Sequence, residues 1–365
     1  MAPPQGSISD LLRPELAELS AYAPLAGDFS VRLDANEAPP LLSSRARARL
    51  AEVAADTAWE RYPDARCEHL KQAIAAKMGV SPDEVLAGVG SDEVITTLLT
   101  VLARPRDKSG VPTILTTTPT FVMYRQSARV RGMNVMEVPL DAGWDLADAS
   151  LARALEMTPP NVVFIATPNN PTGNLMSRDR LERLIQAAQG ALCVVDEAYV
   201  DYSSGDHLDL YRKYDNVAIL RTLSKVGFAA LRVGWLVARP ELVRELDKAR
   251  CPYNLPSVSQ ALATTVLTEL GDEVAALARS VKEERSRLSA ALEALPRVTL
   301  TPSQANFVWV KTERPAGEVF DALCQRKILV RSFHARGGRL GSQLRVTVGT
   351  REENDAFLRA LAEVT

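Results

Sequence analysis

The sequence predicts an α/β protein: a large unit built on a mostly parallel sheet with helices on both faces, and a smaller α+β unit beside it. Two observations carry this. First, six short apolar runs, TILTTT, NVMEVPL, NVVFIAT, ALCVVDEAY, NVAILRT and RVGWLVA, punctuate the stretch between residues 113 and 238. Helical or irregular segments separate the first five; the last follows its predecessor closely. Runs that are apolar throughout, instead of alternating, suit strands covered on both faces, and helices between parallel strands supply the cover. Second, the chain changes character after CPYNLPSVSQ. Val274, Leu277, Val281, Leu288, Leu292 and Leu295 recur at spacings of three, four and seven, the mark of a long amphipathic helix. Beyond it, NFVWV, ILVRSF and LRVTVG read as strands of the second unit.

In chain order, residues 1–43 make an N-terminal arm and part of the smaller unit, 44–264 the large unit, and 265–365 the rest of the small one. SPDEVLAGVGSDEVITTLLTVLA offers a helix start, with Ser81 as N-cap, Pro82 at the first helical position and Glu84 completing a capping box. The 365 residues are 46% hydrophobic and 24% charged with a formal net charge of -2, an ordinary soluble composition. So balanced a charge gives no reason to expect nucleic acid or a membrane surface as partner. Cys67, Cys193, Cys251 and Cys324 form no CxxC pair, and His69, His207 and His334 have no ligand-like spacing, which argues against a zinc site. Reduced cysteines, the lack of a signal-peptide pattern in MAPPQGSISD and the lack of a membrane-length apolar run give the expectation of a cytoplasmic protein.

In a parallel sheet, ligands bind beyond the carboxyl ends of the strands. NVVFIAT runs into PNNPTG with Asn170, ALCVVDEAY carries Asp196 and Tyr199, and NVAILRT ends in LSK with Lys225. Singly, these fit a turn, a helix cap, a core phenol and a solvated amine; at successive strand ends they make a site. An amine, a carboxylate, an amide and a phenol together suit pyridoxal phosphate. The lysine bonds the aldehyde, the carboxylate keeps the pyridine nitrogen protonated, and the amide and phenol bind the ring oxygen. GVGSDEV, with Gly88 and Gly90 before a helix start, offers an anchor for the phosphate; by itself it also fits a plain helix N-terminus with acidic residues. TLSKVGFAALRVG sets Lys225 among small residues with Thr222 and Ser224 before it and Arg232 after it, all within reach of the same phosphate. A lysine that reacts as a neutral amine gains from such weakly polar company.

LDANEAPP, RYPD, GVGSDE, PTFVMYR, TPNNPTG, VVDEAYVDY, RTLSKVGFAALRVGW, SQANFVWV, ILVRSF and LRVTVGTREEN occur in the order found in fold-type-I pyridoxal-phosphate aminotransferases. As a set they most resemble the histidinol-phosphate aminotransferase family, over about residues 20 to 360. The resemblance implies a Schiff-base lysine and proton shuttle at Lys225, a pyridinium partner at Asp196, and ring-oxygen contacts at Tyr199 and Asn170. It implies a ring-stacking aromatic at Phe121 and a phosphate cradle of Gly90, Ser91, Asp92, Thr222, Ser224 and Arg232. Tyr62, in RYPD, is similar to a tyrosine that reaches the neighbouring subunit's cofactor, which implies a homodimer. Substrate contacts fall on Tyr22, Asn36, Arg331 and Arg345. Small-molecule partners are implied: a phosphorylated amino compound and a 2-oxo acid such as 2-oxoglutarate. Ala38 and Pro40 in LDANEAPP, the seven-residue step from Lys225 to Arg232, and Phe121 in place of a tyrosine depart from the family's commoner pattern. They leave the cofactor chemistry intact and bear on the substrate. An aromatic amino-acid aminotransferase and a threonine-phosphate decarboxylase are the alternatives.

Overall fold

The apolar runs become one seven-stranded sheet. In spatial order its strands are Val85–Val89, Val233–Val237, Val217–Thr222, Leu192–Asp196, Val162–Ala166, Thr113–Thr118 and Asn134–Pro139. The computed structural model describes residues 8–21, 23, 25–106, 108 and 110–365. The last five strands in this order are mutually parallel, while Val233–Val237 runs antiparallel to both of its neighbours. Only residues 223–232 separate it from the strand before, and a parallel return needs a crossover of about a dozen residues or more. Successive residues of each strand feed two cores on opposite faces. Ile114, Phe164, Val194 and Leu220 join one, and Leu115, Val163, Val195 and Ile219 the other.

The stretch from Ser81 corrects the expectation of a helix there. Pro82–Glu84 makes a single 3-10 turn, in which the Ser81 N–H donates to Glu84 Oε2 at 2.6 Å. The chain then extends as the strand Val85–Val89, and the helix begins only at Gly90 and runs to Val101. The reason is tertiary: VLAGV is almost wholly buried once it pairs with Val233–Val237, and this pairing outweighs a local cap.

The second unit is a four-stranded antiparallel sheet in the order Arg331–Ser332, Gln343–Thr347, Phe307–Thr312 and Val298–Thr301. Residues Val31–Arg32 pair in parallel with Ile328–Leu329, so the N-terminal segment joins this unit. The 23-residue helix Gly271–Glu293 buries Val274, Leu277, Val281, Leu288 and Leu292, the stripe read from the sequence; Leu295 lies just past its end. Arg345 stands directly between Arg331 and Trp309 across this sheet, so all three share a face. Among the described residues no helix is long and apolar enough to cross a membrane, and no group of three or more histidine, cysteine or acidic side chains could hold a metal ion.

One close approach fixes how the helix Gly90–Val101 meets the sheet. Gly234 pairs with Gly88 on one side and Thr222 on the other. A Cβ at Gly234 would lie 2.4 Å from the Ser91 nitrogen and 2.6 Å from the Gly90 carbonyl carbon. Backbone cannot yield as a flexible side chain can. Gly234→Ala is therefore expected to cost about 1–3 kcal/mol, seen as a lower urea midpoint at unchanged slope. An alanine variant as stable as the parent would show that the helix start is free to shift.

Candidate active site

Three neighbouring parallel strands, Val162–Ala166, Leu192–Asp196 and Val217–Thr222, end at the same edge of the sheet. The residues that follow them bring Asn170, Asp196, Tyr199 and Lys225 around one pocket of about 520 Å³, counted to its open mouth. Ser91, Asp92, Phe121, Thr222, Ser224 and Arg232 line it as well, together with Tyr124 and Pro168.

Asp196 lies at the buried end. Its Oδ2 accepts from the Tyr124 phenol at 2.5 Å and its Oδ1 from the Ala198 N–H at 3.0 Å. Burial pushes this carboxyl from 3.8 up to about 6, against the pull of those two hydrogen bonds. Burial, and then the Asp196 charge, push the Tyr124 phenol well above its ordinary value, so it stays a donor. Tyr124 is the functional residue the motif reading missed. It stands three residues after Phe121, on the helix Val122–Val130 that follows another strand of the same sheet, and its ring meets Phe121 edge-on at 5.5 Å. That position was the available signal.

Lys225 Nζ sits 6.0 Å from the centre of the Tyr199 ring. The Tyr199 phenol accepts from Asn36 Nδ2 at 2.9 Å, and Asn36, itself buried, lies behind Tyr199 and not on the pocket wall. Asn170 Oδ1 accepts from Arg345 Nη1 at 2.6 Å, while Arg345 Nη2 donates to the Asp34 carbonyl at 2.5 Å. The two asparagines of PNNPTG divide their work. Asn169, fully buried, braces the loop through the Pro119 carbonyl and Thr172, and Asn170 faces the pocket.

At the opposite end the helix Gly90–Val101 points its N-terminus into the pocket. Arg232 Nη1 donates to Ser224 Oγ at 3.2 Å, and Arg232 Nη2 lies 3.5 Å from Asp92 Oδ2. Thr222 Oγ1 bonds Ser224 Oγ at 3.0 Å. Gly90 serves by leaving room: its N–H is already given to the Arg232 carbonyl at 2.9 Å, and a Cβ there, at φ +71°, would stand 2.7 Å from Arg232 Nη2. Glu93 occupies the place where a dinucleotide fingerprint has its third glycine. Its Oε2 accepts from the Val89 N–H at 2.5 Å and from Asn254 Nδ2 at 2.7 Å, so the acid holds the helix entry in place.

Of the expected residues, Gly90, Asn36, Tyr62, Arg331 and Arg345 are not among those that line this pocket. Tyr62 is 81% exposed and stacks on Tyr253 with ring centres 4.8 Å apart. Arg331 is exposed on its strand opposite Arg345. Tyr22 lies outside the described residues.

The pocket fits pyridoxal phosphate. Asp196, whose partners here are a phenol and a backbone N–H, gains from a cation such as a protonated ring nitrogen. The helix start with Arg232 and two hydroxyls suits a dianion, and the lysine and amide stand between the two ends. Comparison with known proteins agrees. Residues 30–361 match the family described as aminotransferase class I and II. Histidinol-phosphate aminotransferase of Chromobacterium violaceum is 40% identical over 97% of this chain and 98% of that protein. The Aquifex aeolicus enzyme of that name is 37% identical over 95% and 96%. A crystal structure of histidinol-phosphate aminotransferase from Sinorhizobium meliloti, in complex with pyridoxal-5'-phosphate, superposes with a TM-score of 0.85 at 23% identity, covering 97% of each chain. The chain thus belongs to the class I and II aminotransferase family, as a fold-type-I, pyridoxal-phosphate-dependent enzyme. Within it, the chain groups with the histidinol-phosphate aminotransferases.

The raised Asp196 carboxyl gives a pH signature. In the cofactor-free protein the folded state holds this proton more tightly than the unfolded chain, so the stability it contributes is whole below about 4 and is lost as pH rises through about 6. Asp196→Asn removes that titration. The cofactor-free variant is expected to gain on the parent as pH rises from 4 to 7, on the order of 2 kcal/mol by urea midpoint. A difference that stays constant across this range would show that the buried carboxylate carries no such penalty.

Proposed function

We propose that the protein transfers the amino group of L-histidinol phosphate to 2-oxoglutarate, giving imidazole acetol phosphate and L-glutamate, as a step of histidine biosynthesis in the cytoplasm. The observation that carries this is the near-complete overlap, at 37–40% identity, with proteins of that name. The placement of Arg345 supports it: a buried guanidinium bonded to Asn170 at the pocket wall, with Arg331 beside it, is a receptor for an anionic group. One such receptor serves both the phosphate of the amino donor and a carboxylate of the oxo-acid.

Bound pyridoxal phosphate supplies an aldehyde carbon that exchanges amino groups and a ring that accepts the electron pair left at the substrate's α-carbon. Asp196, steadied by Tyr124, holds the proton on the ring nitrogen. Asn170 and Tyr199 bind the ring oxygen, and Asn36 fixes the Tyr199 phenol from behind. The backbone N–H groups of Ser91 and Asp92, the Thr222 and Ser224 hydroxyls and Arg232 hold the phosphate, with Gly90 giving clearance. Phe121 covers the ring. Lys225 anchors the aldehyde between turnovers, then takes the proton from the substrate's α-carbon on Nζ and returns one to complete the transfer. Arg331 and Arg345 form the substrate end, with Tyr22, and Asn36 acts on it only through Tyr199.

A homodimer is part of the proposal. Tyr62 would complete the phosphate site of the neighbouring subunit, and the exposure of Trp59, Tyr62 and Tyr253 at 75%, 81% and 45% supports a surface that is covered in the assembly.

The test is a single-turnover spectrum of the cofactor-loaded protein mixed with L-histidinol phosphate and no oxo-acid. Stoichiometric loss of the yellow absorbance, with formation of the amine form of the cofactor, is expected. Conversion by phenylalanine or tyrosine alone would hand the site to an aromatic donor, and release of carbon dioxide from a phosphorylated amino acid would make it a decarboxylase. Lys225→Ala is expected to abolish turnover in every case; substantial residual activity would remove the lysine from its assigned role.

A further inference from the structure

We infer that Tyr202 is a positioning residue for Lys225, through which the long helix Gly271–Glu293 sets the placement of the reactive amine. The inference rests on the role given to Lys225 above.

The lysine turn is irregular. Residues Ser224–Phe228 coil as a widened helix turn in which Val226 (φ -112°, ψ 34°) and Gly227 (φ 95°, ψ 2°) leave helical geometry. A four-carbon side chain can aim its amine only as well as its own backbone is held. Here a side chain does part of the holding. The Tyr202 phenol donates to the Lys225 carbonyl at 2.6 Å. Tyr202 has no exposed surface and closes the short 3-10 turn Val200–Tyr202 that begins directly after Tyr199. Burial raises its phenol well above the ordinary range, so the group remains a donor throughout the working pH of an enzyme.

The same turn is gripped from the other side. Arg285 Nη1 donates to the Tyr202 carbonyl at 3.2 Å and to the Ala305 carbonyl at 2.8 Å, and Lys282 Nζ donates to the Ser203 carbonyl at 3.1 Å. Both cations lie on the helix Gly271–Glu293, three residues apart and therefore on one face. One helical span earlier, Leu277 packs on the lysine turn itself, its Cδ1 only 3.1 Å from where a Cβ on Gly227 would stand. The helix thus bears on Lys225 twice, by direct packing at Gly227 and through Arg285, Tyr202 and the Lys225 carbonyl. Ala305 precedes Asn306, whose Nδ2 donates to the Asn36 carbonyl at 2.9 Å, and Asn36 in turn holds the Tyr199 phenol. A single guanidinium therefore ties together the supports of both the amine and the phenol of the site.

Tyr202→Phe keeps the ring and its packing and removes only the hydroxyl. In the full-length, cofactor-loaded protein, kcat is expected to fall about tenfold or more with KM for the amino donor little changed, since a misplaced catalytic group costs rate before binding. The pH midpoint of the cofactor's absorbance change should move, and the cofactor-free variant should take up pyridoxal phosphate more slowly. Arg285→Met should shift the same three readouts in the same direction. A Tyr202→Phe protein with the parent's kcat, spectral midpoint and uptake rate, even at a lower melting temperature, would reduce Tyr202 to a packing role while Lys225→Ala stayed inert. A Lys225→Ala protein that still turned over would remove the lysine assignment, and this inference with it.

Discussion

The site depends on one costly burial. Asp196 sits at the end of a central strand with no exposed route for its charge, and desolvation raises its carboxyl to about 6. Left to itself this group would be better neutral. A hydrogen bond from Tyr124 and one from the Ala198 N–H hold it in line, and in the role proposed above a protonated ring nitrogen would supply the missing positive charge. In that role the protein accepts a local loss of stability that binding of the cofactor would reverse. The same low-polarity surroundings strengthen that ion pair once it forms.

The remaining walls are held by contacts between the two units. Asn36, on the N-terminal segment that joins the smaller unit, reaches the Tyr199 phenol. Arg345, on the small antiparallel sheet, reaches Asn170 on the loop after a strand of the large one. Arg285 spans the carbonyls of Tyr202 and Ala305. The first two bonds join side chains across the units and the third joins an arginine side chain to backbone carbonyls of both, so the relative position of the units and the geometry of the pocket are coupled.

Much of this was legible in the residue order, and the exceptions have physical causes. The apolar runs that became the parallel core were evident because strands buried on both faces carry no polar side to confuse them. The run Val85–Val89 was obscured by a helix-start pattern at Ser81, and only pairing with Val233–Val237 decides that this stretch extends. Asn170, Asp196, Tyr199 and Lys225 could be proposed as one site because parallel strands end at one edge. Tyr124 could not be singled out in the same way. A tyrosine on an amphipathic helix looks like core until the helix is seen to lean over Asp196. Likewise Gly90 reads as a phosphate donor in its motif, whereas its N–H is given to Arg232 and its use is the space it leaves.

What the sequence determined by itself is local chemistry in a known order: which groups end which strands, and therefore which cofactor chemistry they can serve. That follows from hydrophobic periodicity and strand polarity, both of which are properties of neighbouring residues. What only the tertiary structure decided is which groups hold the others in place. Tyr124 behind Asp196, Asn36 behind Tyr199 and Tyr202 behind Lys225 come from different segments of the chain. Their bonds depend on how helices and the two units pack in three dimensions, where no spacing along the chain records the distance.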